Sequence, residues 1–243
     1  MAVDNDDDNP CLPDDLLQLI SEFNAERDAR TKHFEALRTS AENDFQAKLS
    51  MDAFGEDWNA SQFWYTDATA TALAAQLLEG ADEGTAIAVV SAPSVYVALR
   101  NLLVERGDGG PTPMVRLLEF DKRFEVMGED FVAFDFQQPL KLPPSLKGAF
   151  DRIICDPPFL SEDCQAKTAL TVRFLAREWS QDGLRLVSCT GERMGGMMEK
   201  LYGKLGMRET DFEVVHAKGL SNEFRCYANF AGGALGWKSE YPN

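Results

Sequence analysis

Residues 150–160, FDRIICDPPFL, constrain this chain more than any other stretch. Ile153 and Ile154 are apolar and β-branched, the run is too short for a helix, and Gly148 before it and two prolines after it bound a buried strand. Asp156-Pro157-Pro158-Phe159 then ends that strand stiffly. Each proline fixes its own φ, supplies no N–H, and keeps the residue before it out of the helical region. What remains is a ledge that accepts hydrogen bonds through carbonyl oxygens and the Asp156 carboxylate, with the Phe159 ring beside it. Such a ledge suits a site that holds an amino group and transfers something to its nitrogen. The plainer alternative is a strand that stops at a Pro-Pro turn with Asp156 facing water. The strand before the tetrapeptide and the aromatic within it favour the functional reading.

Strands alternate with helices around this stretch. Residues 85–92 are predicted as a first strand, 94–106 as a helix with Leu99, Leu102 and Leu103 on its core face, and 114–121 as a second strand ending in acidic residues. Residues 131–136 form the third, 150–156 the fourth, and 184–189 the fifth, after a helix over 161–179. A helix through Met197, Met198, Leu201 and Leu205 follows; residues 212–216 and 224–230 are then expected to pair as an antiparallel hairpin. Alternation of this kind requires right-handed crossovers and a doubly wound α/β sheet, in which ligands sit at the carboxyl ends of the strands. Those ends carry Ser91-Ala92-Pro93-Ser94, Glu119, Asp121, Asp135 and Asp156, so polar groups converge on one rim. A carboxylate after the second strand can accept both hydroxyls of a ribose, and one after the third can meet an adenine amino group.

The chain divides into an acidic tail over 1–12, expected to be disordered, a helical extension over 13–56 and a main domain over 57–243. Leu16, Leu19, Ile20 and Phe23, then Phe34, Leu37, Ala41, Phe45 and Leu49, carry the helical spacing of the extension. The segment DWNASQFWYTD, 57–67, concentrates Trp58, Phe63, Trp64 and Tyr65. It either plugs the extension onto the core or forms a lid over a cofactor, with Gln62 and Trp64 touching it. A helix capped by Thr66 or Asp67 follows and stops at Gly80.

At 243 residues the chain holds one α/β domain and some extra. Its 24 Lys and Arg against 40 Asp and Glu, a formal charge of −16, disfavour a nucleic-acid partner bound through phosphate neutralisation. The five scattered cysteines and two histidines lack metal-site spacing, so no metal is expected. No apolar run reaches membrane-spanning length, and the acidic start is unlike a signal peptide, which makes the cytoplasm the expected compartment.

An acid after the second strand, another after the third and Asp-Pro-Pro-Phe after the fourth together resemble the seven-stranded, Rossmann-like S-adenosylmethionine-dependent methyltransferases that act on amino nitrogens. SQFWY at 61–65, SAPSVY at 91–96, EFDKRF at 119–124, DPPFLSEDC at 156–164 and NEFRCY at 222–227 are similar, block by block and in order, to the translation elongation factor 1-alpha lysine methyltransferases once labelled N6-adenine methyltransferase-like. The resemblance implies S-adenosyl-L-methionine as cofactor, with Gln62, Trp64, Ser91, Ala92, Pro93, Ser94, Glu119, Asp121, Asp135, Phe136 and Asp156 around it. It implies Asp156, Pro157, Pro158 and Phe159 as the catalytic loop and a lysine of a basic protein, elongation factor 1-alpha first, as acceptor. Phe159, Asn222, Phe224 and Arg225 would meet that substrate, although Phe224 can equally be core and Arg225 can pair with a carboxylate. A monomer is expected.

The chain departs from many methyltransferases in placing Ser91-Ala92-Pro93-Ser94 where a glycine-rich turn usually follows the first strand. Three alternatives stand beside the lysine reading. An adenine-N6 methyltransferase would use the same tetrapeptide but needs a cationic channel. A catalytically silent binding protein of the same fold is favoured by the missing glycines and opposed by the intact tetrapeptide. A nicotinamide-dependent oxidoreductase lacks its G-x-G-x-x-G.

Overall fold

The computed structural model describes residues 49–56, 62–107, 110, 112–220 and 223–238, together with helical positions at 18, 21–25, 28–29 and 32. The expected acidic tail over 1–12, most of the apolar face expected for the extension, Trp58 and Asn222 lie outside these residues.

Among the described residues, seven strands form one sheet in the order β3-β2-β1-β4-β5-β7-β6. The strands are β1 (Ala86–Val90), β2 (Met114–Glu119), β3 (Phe131–Ala133), β4 (Arg152–Cys155), β5 (Arg185–Gly191), β6 (Arg208–Glu209) and β7 (Phe224–Ala228). Strands β1 to β5 run parallel, while β7 runs antiparallel to both β5 and β6. Helices α1 (Asp67–Leu78), α2 (Pro93–Arg106), α3 (Glu162–Leu175) and α4 (Gly195–Tyr202) cover the sheet.

Burial on both faces explains why the central strands read as apolar runs rather than alternations. Every residue of β1 and β4 is buried. Successive side chains still point to opposite faces: Ile87, Val89 and Ile154 pack with α1, α2, Phe54 and Trp64, whereas Ala88, Val90, Ile153 and Cys155 pack with α3 and α4. The buried Arg152 is accommodated because its Nη1 donates to the carbonyls of Leu77 and Glu79, both at 2.7 Å. It thereby caps the carboxyl end of α1, where carbonyls lack helical partners.

The terminal hairpin differs from expectation. Residues 212–216 are not a sheet strand; β6 is the earlier pair Arg208–Glu209, opposite Ala228 and Tyr227. Gly206, at φ 76, ends the 3-10 turn Gly203–Leu205 that follows α4, turns the chain back and starts β6 early. The β-branched run that follows leaves the sheet edge as an extended strap. Val214 is buried on the α1 side of the core, and the strap pairs with residues 64–66: Thr66 N–H donates to Val215 O at 2.9 Å and Ala217 N–H to Trp64 O at 2.8 Å. Helix α3 also ends at Leu175 rather than 179, because Ala176 is drawn into a parallel bridge with Phe150.

Leu49, at the end of the extension, is joined to α2 by Asn101, whose amide accepts from Leu49 N–H and donates to Leu49 O, both at 2.8 Å. Among the described residues no helix is long and apolar enough to cross a membrane.

Candidate active site at the strand ends

The carboxyl ends of β1, β2 and β4 are adjacent in the sheet, and most of the sequence-predicted polar residues meet there. Ser91 leaves β1 with φ 55, a left-handed conformation uncommon for a residue with a side chain, and its N–H donates to Leu118 O at 2.9 Å. The tight turn usually made by glycine is therefore present in the backbone, at a strain of about 1 kcal/mol or more. Pro93, whose missing N–H costs nothing in a first helical turn, then opens α2.

Glu119 ends β2 only 6% exposed. Its Oε1 accepts the N–H groups of Phe120 at 2.9 Å and Asp121 at 3.1 Å. Burial nevertheless pushes the carboxyl up to about 7. Asp121 is placed differently. Its oxygens accept Arg123 N–H at 2.9 Å, Arg123 Nε at 2.8 Å and Gln62 Nε2 at 3.0 Å. Burial works against its charge, but the bonds from Arg123 and Gln62 hold the carboxyl below its usual range. Arg123 also donates to Gln62 Oε1 and Gly55 O, both at 3.0 Å. Gln62, Asp121 and Arg123 thus form a clamp that ties the segment before α1 to the end of β2.

Trp64 does not form a lid. It is 8% exposed, packs edge-on against Phe124 at 6.1 Å, and donates its indole N–H to Phe54 O. Phe54 stacks on the same Phe124 ring at 4.2 Å, and this aromatic plug joins the extension to the core. The next residue, Tyr65, points to the site instead, because neighbouring residues of an extended segment face opposite ways.

Asp156 follows β4, and its N–H donates to Val90 O at 3.0 Å, which pins the ledge beside the end of β1. The Tyr65 hydroxyl donates to Asp156 Oδ2. Burial, reinforced by the negative charge of Glu119, pushes the Asp156 carboxyl up to about 7 even though the phenol favours its ionised form. Burial also raises the Tyr65 phenol well above 10. Beyond the prolines, Phe159 is 40% exposed and its ring lies 5.4 Å from that of Phe136. The buried Gln165 of α3 donates to Phe159 O at 3.3 Å, and Arg193 donates to Leu160 O at 3.0 Å. The loop is thus held through carbonyls while the Phe159 ring stays open to solvent.

Asp135, half-buried, is engaged in its own turn, accepting Gln137 N–H at 2.8 Å and Gln138 Nε2 at 3.3 Å. Phe224 is half-buried against the His216 ring, 4.7 Å away. Arg225 pairs with Glu223 at 2.7 Å, Glu192 at 3.1 Å and Glu209 at 3.3 Å, the structural alternative for that residue. The sequence places Tyr65 only among the aromatics of the 57–67 segment and gives neither it nor His216 a role in the site. The SQFWY block contained the tyrosine, but its partner lies 91 residues away.

A sheet in this order, with its seventh strand antiparallel and with acidic groups and Asp-Pro-Pro-Phe on its carboxyl rim, defines a seven-stranded S-adenosylmethionine-dependent methyltransferase. The chain belongs to the probable N6-adenine methyltransferase family, whose model matches residues 56–232. It is 45% identical to the protein-lysine N-methyltransferase EFM5 of Saccharomyces cerevisiae, over 90% of this chain and 91% of that protein. It is 40% identical to EEF1A lysine methyltransferase 1 of Gallus gallus, over 95% and 98% of the two chains, and 37% identical to the Homo sapiens protein of that name, over 94% and 95%.

Proposed function

We propose that the protein is a protein-lysine N-methyltransferase that modifies translation elongation factor 1A in the cytoplasm, acting as a monomer through a single methyltransferase domain over 57–243. The observation that carries this reading is the Asp156 carboxylate on an acceptor-only ledge between β1 and β4. Similarity over 90% and 95% of the chain to relatives named for lysine methylation supports it, although the family model bears the name of adenine.

The residues present fit S-adenosylmethionine. The left-handed turn at Ser91 leaves room for a ligand beside the backbone, and residues 92–94 lead into the first turn of α2, where the Ser94 amide suits a carboxylate. Glu119 is the acceptor assigned to the ribose hydroxyls, with Asp135 and Phe136 on the adenine side. Gln62 and Asp121 support that wall through Arg123. When bound, the cofactor supplies a methyl group on a cationic sulfur. The protein's own task is to present a neutral amine in line and to exclude water. A lysine with pKa about 10.4 needs about 4.6 kcal/mol to lose its proton at pH 7. Asp156 Oδ1 and the Pro157 carbonyl orient the amine, and Phe159, exposed at the rim, packs on the lysine stem. A neighbouring cation and dehydration lower the deprotonation cost, so Asp156 need not act as a strong base.

Two basic side chains at this end of the sheet are committed to carboxylates, Arg123 to Asp121 and Arg225 to three glutamates, and the formal charge of −16 opposes a phosphate backbone. The protein, incubated with labelled cofactor and purified elongation factor 1A, and separately with adenine-containing DNA and RNA, is expected to label the protein alone. Label in the nucleic acids and not in the factor would overturn the lysine reading.

A further inference from the structure

Tyr65 is a buried hydroxyl that none of the proposed binding roles uses, and its position is determined from three directions. Its backbone N–H donates to the Ser94 hydroxyl at 3.2 Å, tying it to the first turn of α2. Its backbone bridges His216 in the strap, and the flanking residues 64 and 66 hydrogen-bond to 217 and 215. Its ring meets the His216 ring edge-on at 5.0 Å, and His216, held neutral at pH 7 by burial with its pKa lowered to about 4, adds no charge there. With the backbone fixed in this way and the ring against His216, the hydroxyl reaches Asp156 Oδ2. Among the described residues Oδ1 has no hydrogen-bond partner.

We propose that Tyr65 is a positioning residue for methyl transfer: its phenol takes one oxygen of Asp156, fixes the carboxylate plane, and leaves the other oxygen to orient the acceptor amine. This rests on the lysine methyltransferase reading for the identity of the amine but not for the clamp itself. No covalent step passes through Tyr65, whose phenol keeps its proton. The strap over 212–217 then has a purpose beyond packing. It is the second side of a frame that holds Tyr65 between the β1 turn and the β4 ledge.

Two neighbouring groups bear on the pH behaviour. Glu119 repels the Asp156 charge from β2, and the Cys189 thiol of β5, raised by its contact with Cys226 and by burial, stays neutral beside the phenol. Deleting the hydroxyl removes a donor that favours ionised Asp156, so protonation of Asp156 should become easier.

The test is Tyr65→Phe in the full chain, which keeps the ring against His216. Carbon-13 NMR titration of the Asp156 carboxyl in the cofactor-free protein should show its midpoint rise by about one pH unit, the worth of one lost hydrogen bond to a charged group. With elongation factor 1A as substrate, kcat at pH 7 should fall roughly tenfold to a hundredfold, KM and cofactor affinity should stay within about twofold, and part of the loss should be recovered at pH 9. An unchanged carboxyl midpoint together with a parent-like pH profile would overturn the proposal. If the parent protein fails to methylate the factor, the substrate reading fails, while the NMR titration still decides on the clamp. Tyr65→Leu, which loses ring and hydroxyl together, should be no better than Tyr65→Phe in kcat; if it were, the phenol would be dispensable.

Discussion

Glu119 and Asp156 are two carboxyls at strand ends on either side of β1, each pushed to about 7 chiefly by burial, with the Glu119 charge adding to the rise at Asp156. A carboxyl whose folded pKa lies above its unfolded value near 4 contributes stability that is fully present below that value and is lost as pH rises through 7. The cofactor-free protein should therefore lose thermal stability between about pH 4 and pH 7. Asp156→Asn should recover part of that loss at pH 8, and little at pH 4, while abolishing transfer. Thermal denaturation at the two pH values checks the sign; a variant equally destabilised at both would mean that the charge costs nothing. The negative charge of the ionised carboxylates should make the site prefer the cationic cofactor over its neutral demethylated product. Calorimetry should find that preference greater at pH 8 than at pH 6. Phe159 belongs at this scale as well, since its ring is exposed while its carbonyl is fixed by Gln165. Phe159→Ala should lower kcat strongly and change cofactor affinity by less than about threefold. Ser91 is readable only through its backbone: nothing in SAPS announces a left-handed residue. Ser91→Val, a β-branched side chain in that conformation, should cost about 2 kcal/mol and weaken cofactor binding, as a denaturant titration and calorimetry would show.

Elements with strong local signals were legible: β1 and β4 as buried apolar runs, α1 from its Thr66 cap, and the stop at Pro157. Residues 212–216 carried an equally strong strand signal and took another role, because β-branched residues suit any half-buried extended segment. Which partner such a segment finds depends on where Gly206 turns the chain and on the free backbone of residues 64–66. Helix α3 illustrates the coupling of an element to the site. Ser161 caps it by accepting Cys164 N–H at 3.3 Å, and Gln165 in the next turn holds the catalytic loop. Ser161→Ala should lower stability by about 1 kcal/mol in chemical denaturation, with a smaller effect on KM than on kcat.

For the whole molecule the formal charge of −16 sets the kind of partner that approaches productively. Steering between exposed charges is screened beyond about 10 Å at 0.1 M salt, so kcat/KM for a basic protein substrate should fall as salt rises from 0.05 to 0.5 M, at nearly constant kcat. A salt-independent kcat/KM would leave the acidic surface without a role in recognition.

What the sequence determined by itself was local: the alternation of strand and helix, the acceptor-only ledge at Asp156, the acidic strand ends and the sign of the surface. Each follows from the conformational limits of a few adjacent residues or from a sum over the chain. The tertiary structure decided which of those residues are free to bind. It turned Trp64 inward and Tyr65 toward Asp156, saturated Asp121 with Arg123 and Gln62 while leaving Glu119 as the less committed acid, and surrounded Arg225 with glutamates. The physical reason is that a side chain's availability depends on donors and acceptors brought to it from distant parts of the chain, 59 residues away for Gln62 and Asp121 and 91 for Tyr65 and Asp156, and no local pattern encodes a partner at that separation.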